Sequence, residues 1–284
     1  MNSHTFLIMA VTVLRNTAYQ LVFTVGVIIV FGLIVGILSQ AFFRLSGFKF
    51  GRIIGMVTGF IGVPIHEFGH AFFCVLFRHR IIEIKLYEPN NADGVLGYVN
   101  HAYRRKSPYQ QIGNFFIGFG PILFGSALLL LLMYLLAPGL YKAFATSTDF
   151  SKMPGPGAFS LATLSYIFGG VRQALTAFYT FAKPGDWRWW VFIIPACSIA
   201  MHMSLSPQDI KSSWPGFWFI VVIIFLANII LYFARINAIA MLTKYCLAAG
   251  VFLLHYLTIS IVFSLILLVL GIVVRIIMVV TGRV

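Results

Sequence analysis

From Ile53 to Phe77 the chain carries one charged side chain, Glu67, and it stands within His66-Glu67-Phe68-Gly69-His70. An apolar run of this length is what a membrane-spanning helix needs. A carboxylate inside such a helix costs on the order of 2.5–3.5 kcal/mol on insertion scales, and an ionisable residue there marks a functional site by default. On a helix, His66 and His70 lie one turn apart on one face, so both imidazoles reach a single metal ion. Glu67 is then placed beside the metal, to take a proton from water rather than to act as a ligand.

Composition agrees with a bilayer environment. The 284 residues are 60% hydrophobic and only 10% charged, against about 25% charged in soluble domains. The formal net charge of +13 does not read as nucleic-acid binding, because the basic residues are spread over loops and Arg104-Arg105-Lys106 is the one run. Lys and Arg beside membrane spans face anionic lipid. Cys74, Cys197 and Cys246 all lie in apolar segments and give no disulfide framework. Cys74 is a poor third ligand, since it lies about 12 Å of helix rise from His66 at about 1.5 Å per residue.

Hydrophobic runs predict a mainly α, polytopic membrane protein with six, possibly seven, transmembrane helices. Leu21 to Leu38, preceded by a short apolar stretch from Phe6 to Leu14, reads as a retained helix with no small-residue cleavage pattern. The motif span, Ile112 to Ala137, Val191 to Leu205, Phe217 to Phe233 and Leu247 to Val274 follow. Residues 159–182 are apolar but interrupted by Gly169-Gly170 and Arg172, which leaves three readings open: interfacial, re-entrant or spanning. Trp187, Trp189 and Trp190 mark a membrane interface. Between the motif span and the next, residues 81–100 change character: Ile81 to Tyr87 alternates, Pro89 to Gly94 is a dense turn signal, and Val95 to Val99 resumes an apolar run, which together predict a membrane-associated β-hairpin. The chain divides into an N-terminal helix and basic loop (1–52), a core (53–216) and C-terminal helices (217–284).

A zinc site needs a third protein ligand and an open position. With only seven carboxylates in the chain, elimination is useful. Glu67 is the base, Glu83, Glu88 and Asp93 belong to the hairpin, and Asp149 and Asp186 lie in loops. Asp209 sits where a short span breaks at Ser206-Pro207, a place where irregular backbone is tolerated if it lines a cavity. His202, in the same span, is the alternative third ligand. His101 is a weaker candidate and reads as an interface residue; His79 and His255 read as surface and core residues.

In its order of motifs the chain resembles the site-2 protease family of intramembrane zinc metalloproteases. His66-Glu67-Phe68-Gly69-His70-Ala71 resembles the family's H-E-x-G-H-A signature, the hairpin at 81–100 resembles the membrane-associated sheet that follows it, and Gly118 to Phe124 resembles the A-G-P stretch on the next helix. Asp209 falls where the family has its N-P…L-D-G segment, although Ile210 replaces the glycine and His202 stands where the family has Asn. The resemblance covers roughly residues 53–216. It implies a zinc endopeptidase that cuts transmembrane protein substrates, with Zn2+ held by His66, His70 and Asp209, and Glu67 as general base. The hairpin edge, at Val95, Gly97 and Val99, would receive an unwound substrate strand by β-augmentation. The implied location is an integral, multi-pass membrane protein, in the cell (inner) membrane if the source is bacterial, with the lipid bilayer and a transmembrane substrate as partners and no nucleic acid. The alternative is a non-catalytic membrane protein that retains a structural or partner-binding zinc site. A transporter is a weaker reading, because no pair of broken helices stands at matched positions.

Overall fold

Helix accounts for about 83% of the residues that the structure describes, the architecture that satisfies backbone groups within each segment, as a bilayer demands. The computed structural model describes residues 2–89, 91, 95–147, 161–234 and 238–282. Ten helices appear among these residues: α1 (Ser3–Leu21), α2 (Val27–Leu45), α3 (Phe48–Leu76), α4 (Pro108–Gly118), α5 (Gly120–Leu136), α6 (Pro138–Ser147), α7 (Leu161–Phe181), α8 (Trp187–His202), α9 (Pro207–Phe233) and α10 (Ala238–Val280). A π-helical turn, Val22–Gly26, joins α1 to α2 without a break. Two strands, β1 (Arg80–Lys85) and β2 (Tyr98–Ala102), pair antiparallel between α3 and α4.

Four helical stretches are long and apolar enough to cross a membrane: Ser3–Leu45, Phe50–Leu76, Pro207–Phe233 and Ala238–Val280. The pair α4 and α5, bent by 60° at Phe119, brings the number to five if it counts as one span. The six or seven spans read from hydropathy are thus not all long helices. Val191 to Leu205 belongs to α8, which is only 16 residues long, because Asp186 caps its start and Ser206-Pro207 begins a new helix. Residues 161–181 of the undecided segment form α7. The boundaries proposed at 52/53 and 216/217 fall inside α3 and α9: neither Arg52 nor the Pro215-Gly216 pair ends its helix. The outer surface is apolar, with Phe60 72% and Ile37 66% exposed, as suits lipid contact. The two large helical stretches, at 43 residues each, would measure about 64 Å, well beyond a hydrocarbon core of about 30 Å.

Two close contacts position the site. Gly69 of α3 meets Gly120 at the start of α5 so closely that a Cβ on Gly69 would lie 2.8 Å from the Gly120 carbonyl carbon. Gly62, two turns earlier, lies against the Ser198 carbonyl and the His202 ring of α8. The packed interior around these contacts includes Ile122, Leu129 and Met133 of α5, Phe192 and Ile199 of α8, and Phe263 of α10. On the far side, a fully buried polar cluster ties α1, α9 and α10 together: the Gln20 amide donates to Asn228 and Thr243, and the Asn228 amide donates to Gln20 and Thr17.

α3 ends in a Schellman arrangement. The His79 N–H donates to the Cys74 carbonyl (2.8 Å) and the Arg78 N–H to that of Val75 (3.1 Å). The residue between helix and strand in this motif is usually glycine. Here it is Arg78, at φ 57°, a left-handed conformation that costs a residue with a Cβ about 1–2 kcal/mol.

The predicted hairpin is present with shifted bounds. Arg80 pairs with Ala102 and Lys85 with Tyr98, with an irregularity between Ile81 and Glu83. The return strand is therefore Tyr98–Ala102 rather than Val95 to Val99, and residues 95–97 lie outside it, with the Leu96 carbonyl accepting from the Glu88 N–H. Most of the predicted turn (90 and 92–94, with Asp93) lies outside the described residues, as does Asp149.

Candidate metal centre

α3 carries His66, Glu67 and His70 on a regular stretch of helix, so one turn brings both imidazoles to one side. The two Nε2 atoms stand 3.2 Å apart. Asp209, at the third position of α9, reaches in from across the molecule: its Oδ1 is 3.3 Å from His70 Nε2 and its Oδ2 is 4.0 Å from His66 Nε2. His66, His70 and Asp209 are the one His/Cys/Asp/Glu group of metal-binding geometry among the described residues, with ligand atoms within 4.8 Å of one another. Ligands bound at about 2.0–2.2 Å in tetrahedral geometry stand about 3.3 Å apart, so two of the three separations already match.

The hydrogen bonds fix the tautomers. His66 Nδ1 lies 2.7 Å from the His202 carbonyl and His70 Nδ1 lies 2.7 Å from the Ile117 carbonyl. A carbonyl only accepts, so each Nδ1 carries a proton, the tautomer that in a neutral ring leaves the Nε2 lone pair turned toward the other ring. Two lone pairs and a carboxylate converging on one point form a donor set for a cation. Both orienting carbonyls come from the last turns of helices, α8 and α4, where carbonyls lack intrahelical partners. Metal-ligating histidines are commonly oriented in this way.

Asp209 is held by a capping box. The Ser206 N–H donates to Asp209 Oδ2 (2.7 Å) and the Asp209 N–H donates to Ser206 Oγ (3.1 Å). One carboxylate oxygen is thereby anchored and Oδ1 is left for the histidines. The negative side chain also sits in the first turn of α9, the favoured end of the helix dipole.

His202, the alternative third ligand, stands outside this group. Thr58 Oγ1 donates to the Ile54 carbonyl (2.7 Å), so the contact of 3.1 Å between Thr58 Oγ1 and His202 Nε2 is an N–H donated by the histidine. The His202 side chain is spent on α3, and the residue meets the centre through its carbonyl. Cys74 is buried near the end of α3 and takes no part.

Glu67 is buried and lines a cavity of about 580 Å3 with His66, His70, Asp209, Val95, Gly97 and Val99. A Cβ on Gly97 would lie 3.0 Å from Glu67 Cγ, so the segment before β2 passes against the Glu67 side chain. Gln208, Ser206, Ser212, Asn100 and His101 add polar groups to the same wall. The sequence reading had not singled out the two carbonyls, the Ser206 cap or the role of His79. Of these only the cap has a signal, a serine three residues before Asp209.

His79 and His101 form a second histidine pair behind the cavity. The His79 Nε2–H donates to the Gln110 carbonyl (2.9 Å) and His101 Nδ1–H donates to His79 Nδ1 (3.1 Å). The His79 ring stacks on Tyr103 at 5.0 Å. Burial lowers both histidines from their ordinary range, His101 to about 4 with further contributions from His79 and His70. His79 is thus a buried histidine rather than a surface one.

Comparison with protein-family models, with curated proteins and with solved structures returns no match.

Proposed function

We propose that the chain is an intramembrane zinc metalloprotease of the site-2 protease type, hydrolysing peptide bonds of transmembrane substrates. The observation that carries this reading is the pair of unprotonated Nε2 atoms of His66 and His70 converging on Asp209, with Glu67 in the same cavity. Zinc held by His66, His70 and Asp209 would supply Lewis acidity and lower the pKa of water toward about 7. Glu67 accepts the proton of the attacking water. As the peptide C–N bond breaks, Glu67 returns that proton to the leaving nitrogen. The apolar walls hold the carboxylate away from bulk water, and the residues around Val95, Gly97 and Val99 supply extended backbone beside it, suited to an unwound substrate strand. A multi-pass topology of six spans belongs to this reading, with α8 as the sixth crossing, or of seven if α7 crosses as well.

The test is cleavage of a single-span reporter by the purified, membrane-reconstituted protein, with Glu67→Gln beside it. Cleavage lost in the variant, with metal content unchanged, supports the protease. Metal bound by both proteins with no cleavage by either, over a panel of single-span reporters, supports a structural metal site instead.

A further inference from the structure

His101 of β2 lies on the wall of the metal cavity, whereas Arg80 of β1 and the arginines that flank the two strands stand apart from it. Arg78, Arg80 and Arg104 line a separate open pocket of about 690 Å3, with Ala102, Tyr103 and Gln110 completing it. We propose that Arg78, Arg80 and Arg104 form a binding site for the phosphate group of an anionic phospholipid headgroup. The site is distinct from the metal centre and does not depend on its chemistry.

Four observations carry the proposal. First, the three side chains are exposed, and none is ion-paired with a carboxylate among the described residues. The guanidinium groups therefore have donors to spare, in the fork geometry that matches phosphate oxygens. Second, the arginine backbones are preorganised. The Gln110 side-chain amide donates to the Arg78 carbonyl (2.7 Å), and its Oε1 accepts from the Arg104 N–H (2.6 Å). One glutamine thus clamps the end of α3 to the segment after β2, and Arg80 opposite Ala102 completes the arc. Third, Arg78 occupies the left-handed position of the Schellman turn, where glycine would be free of strain. An outlier of this kind points to a demand on the side chain rather than the backbone.

Fourth, the pocket adjoins the end of a helix long and apolar enough to cross a membrane, where a headgroup would meet it. Arg78 follows the last residues of a membrane-spanning helix, whose Phe72, Val75 and Leu76 are exposed apolar side chains. Tyr109, 47% exposed, donates its hydroxyl to the Leu76 carbonyl (2.7 Å), as an aromatic at the bilayer interface does. Arg105 and Lys106, both exposed, raise the positive potential around the pocket. A phosphate carried by lipid is delivered to this depth, and a soluble acidic partner is not.

The experiment is titration of the full-length protein, in nonionic detergent, with three probes: short-chain phosphatidylglycerol, inorganic phosphate and a soluble acidic peptide. Saturable binding of about one phosphatidylglycerol per chain is expected, weakened about tenfold or more by Arg78→Gln/Arg80→Gln/Arg104→Gln and measurably by Arg104→Lys, which keeps the charge and loses the fork. Thermal unfolding and metal content of the variants serve as the check on folding. Inorganic phosphate binding as tightly as the lipid would support the phosphate chemistry and assign its source to solution. Equal lipid binding by wild type and a folded triple variant, or binding of the acidic peptide in place of both phosphate probes, would overturn the proposal.

Discussion

The Nε2 atoms of His66 and His70 face one another at 3.2 Å, and the carbonyls of His202 and Ile117 hold the proton of each ring on the opposite nitrogen. The arrangement is unfavourable for two neutral imidazoles alone and favourable around a cation. It depends on backbone atoms of two helix ends, and so on how α3 packs against α4, α5 and α8.

Because His202 acts through its carbonyl, His202→Ala is expected to retain the metal with affinity close to wild type, whereas Asp209→Ala loses it. Metal analysis after equilibration with a competing chelator distinguishes the two. Equal loss in both would return His202 to the ligand set.

Ser206 anchors Asp209. Ser206→Ala removes the hydroxyl that accepts the Asp209 N–H, a cap worth about 0.5–2 kcal/mol of stability, while the Ser206 backbone N–H that holds Oδ2 remains. The first turn of α9 loosens, and metal binding is expected to weaken by less than the about 10–100-fold that follows loss of a direct outer partner of a metal ligand. Ser206→Thr keeps the hydroxyl and is expected to restore most of the affinity, a rescue that a purely steric role for Ser206 would not show.

Gly69→Ala places a methyl group against the Gly120 backbone, where no flexible side chain can yield. Overpacking of this kind costs about 1–3 kcal/mol and separates α3 from the start of α5. A lower unfolding temperature together with weaker metal binding is expected, since the same displacement moves His70 from the Ile117 carbonyl.

His101 is held neutral to about pH 4 by burial, while in the unfolded chain it takes up a proton near its ordinary value. The folded state then binds fewer protons between roughly pH 6.5 and 4, so His101 contributes stability above that window and the contribution is lost as pH falls through it. Thermal unfolding of His101→Gln is expected to be flatter than wild type across this range. Parallel curves would contradict the assignment.

The histidine pair and Glu67 were legible because helical periodicity alone places i and i+4 on one face. Asp209 was legible because few carboxylates compete and Ser206-Pro207 announces a helix start. The return strand lies a few residues beyond the expected run, since an apolar run at Val95 to Val99 says nothing about register, and the irregularity beyond Ile81 shifts the pairing toward Tyr98–Ala102. The orienting carbonyls of His202 and Ile117 have no side-chain signature, so only the packing of α3 shows them. Length and composition mark four to five of the expected spans; an apolar segment such as Val191 to Leu205 is equally compatible with a short buried helix, and much of α8 is indeed buried.

The most direct measurement is the zinc content of the detergent-purified, folded protein after exposure to the metal, beside the His66→Ala/His70→Ala variant. About one zinc per chain, absent from the double variant and retained by Glu67→Gln, is the expected result. A folded wild-type protein that takes up no zinc would contradict the metal centre and, with it, the protease.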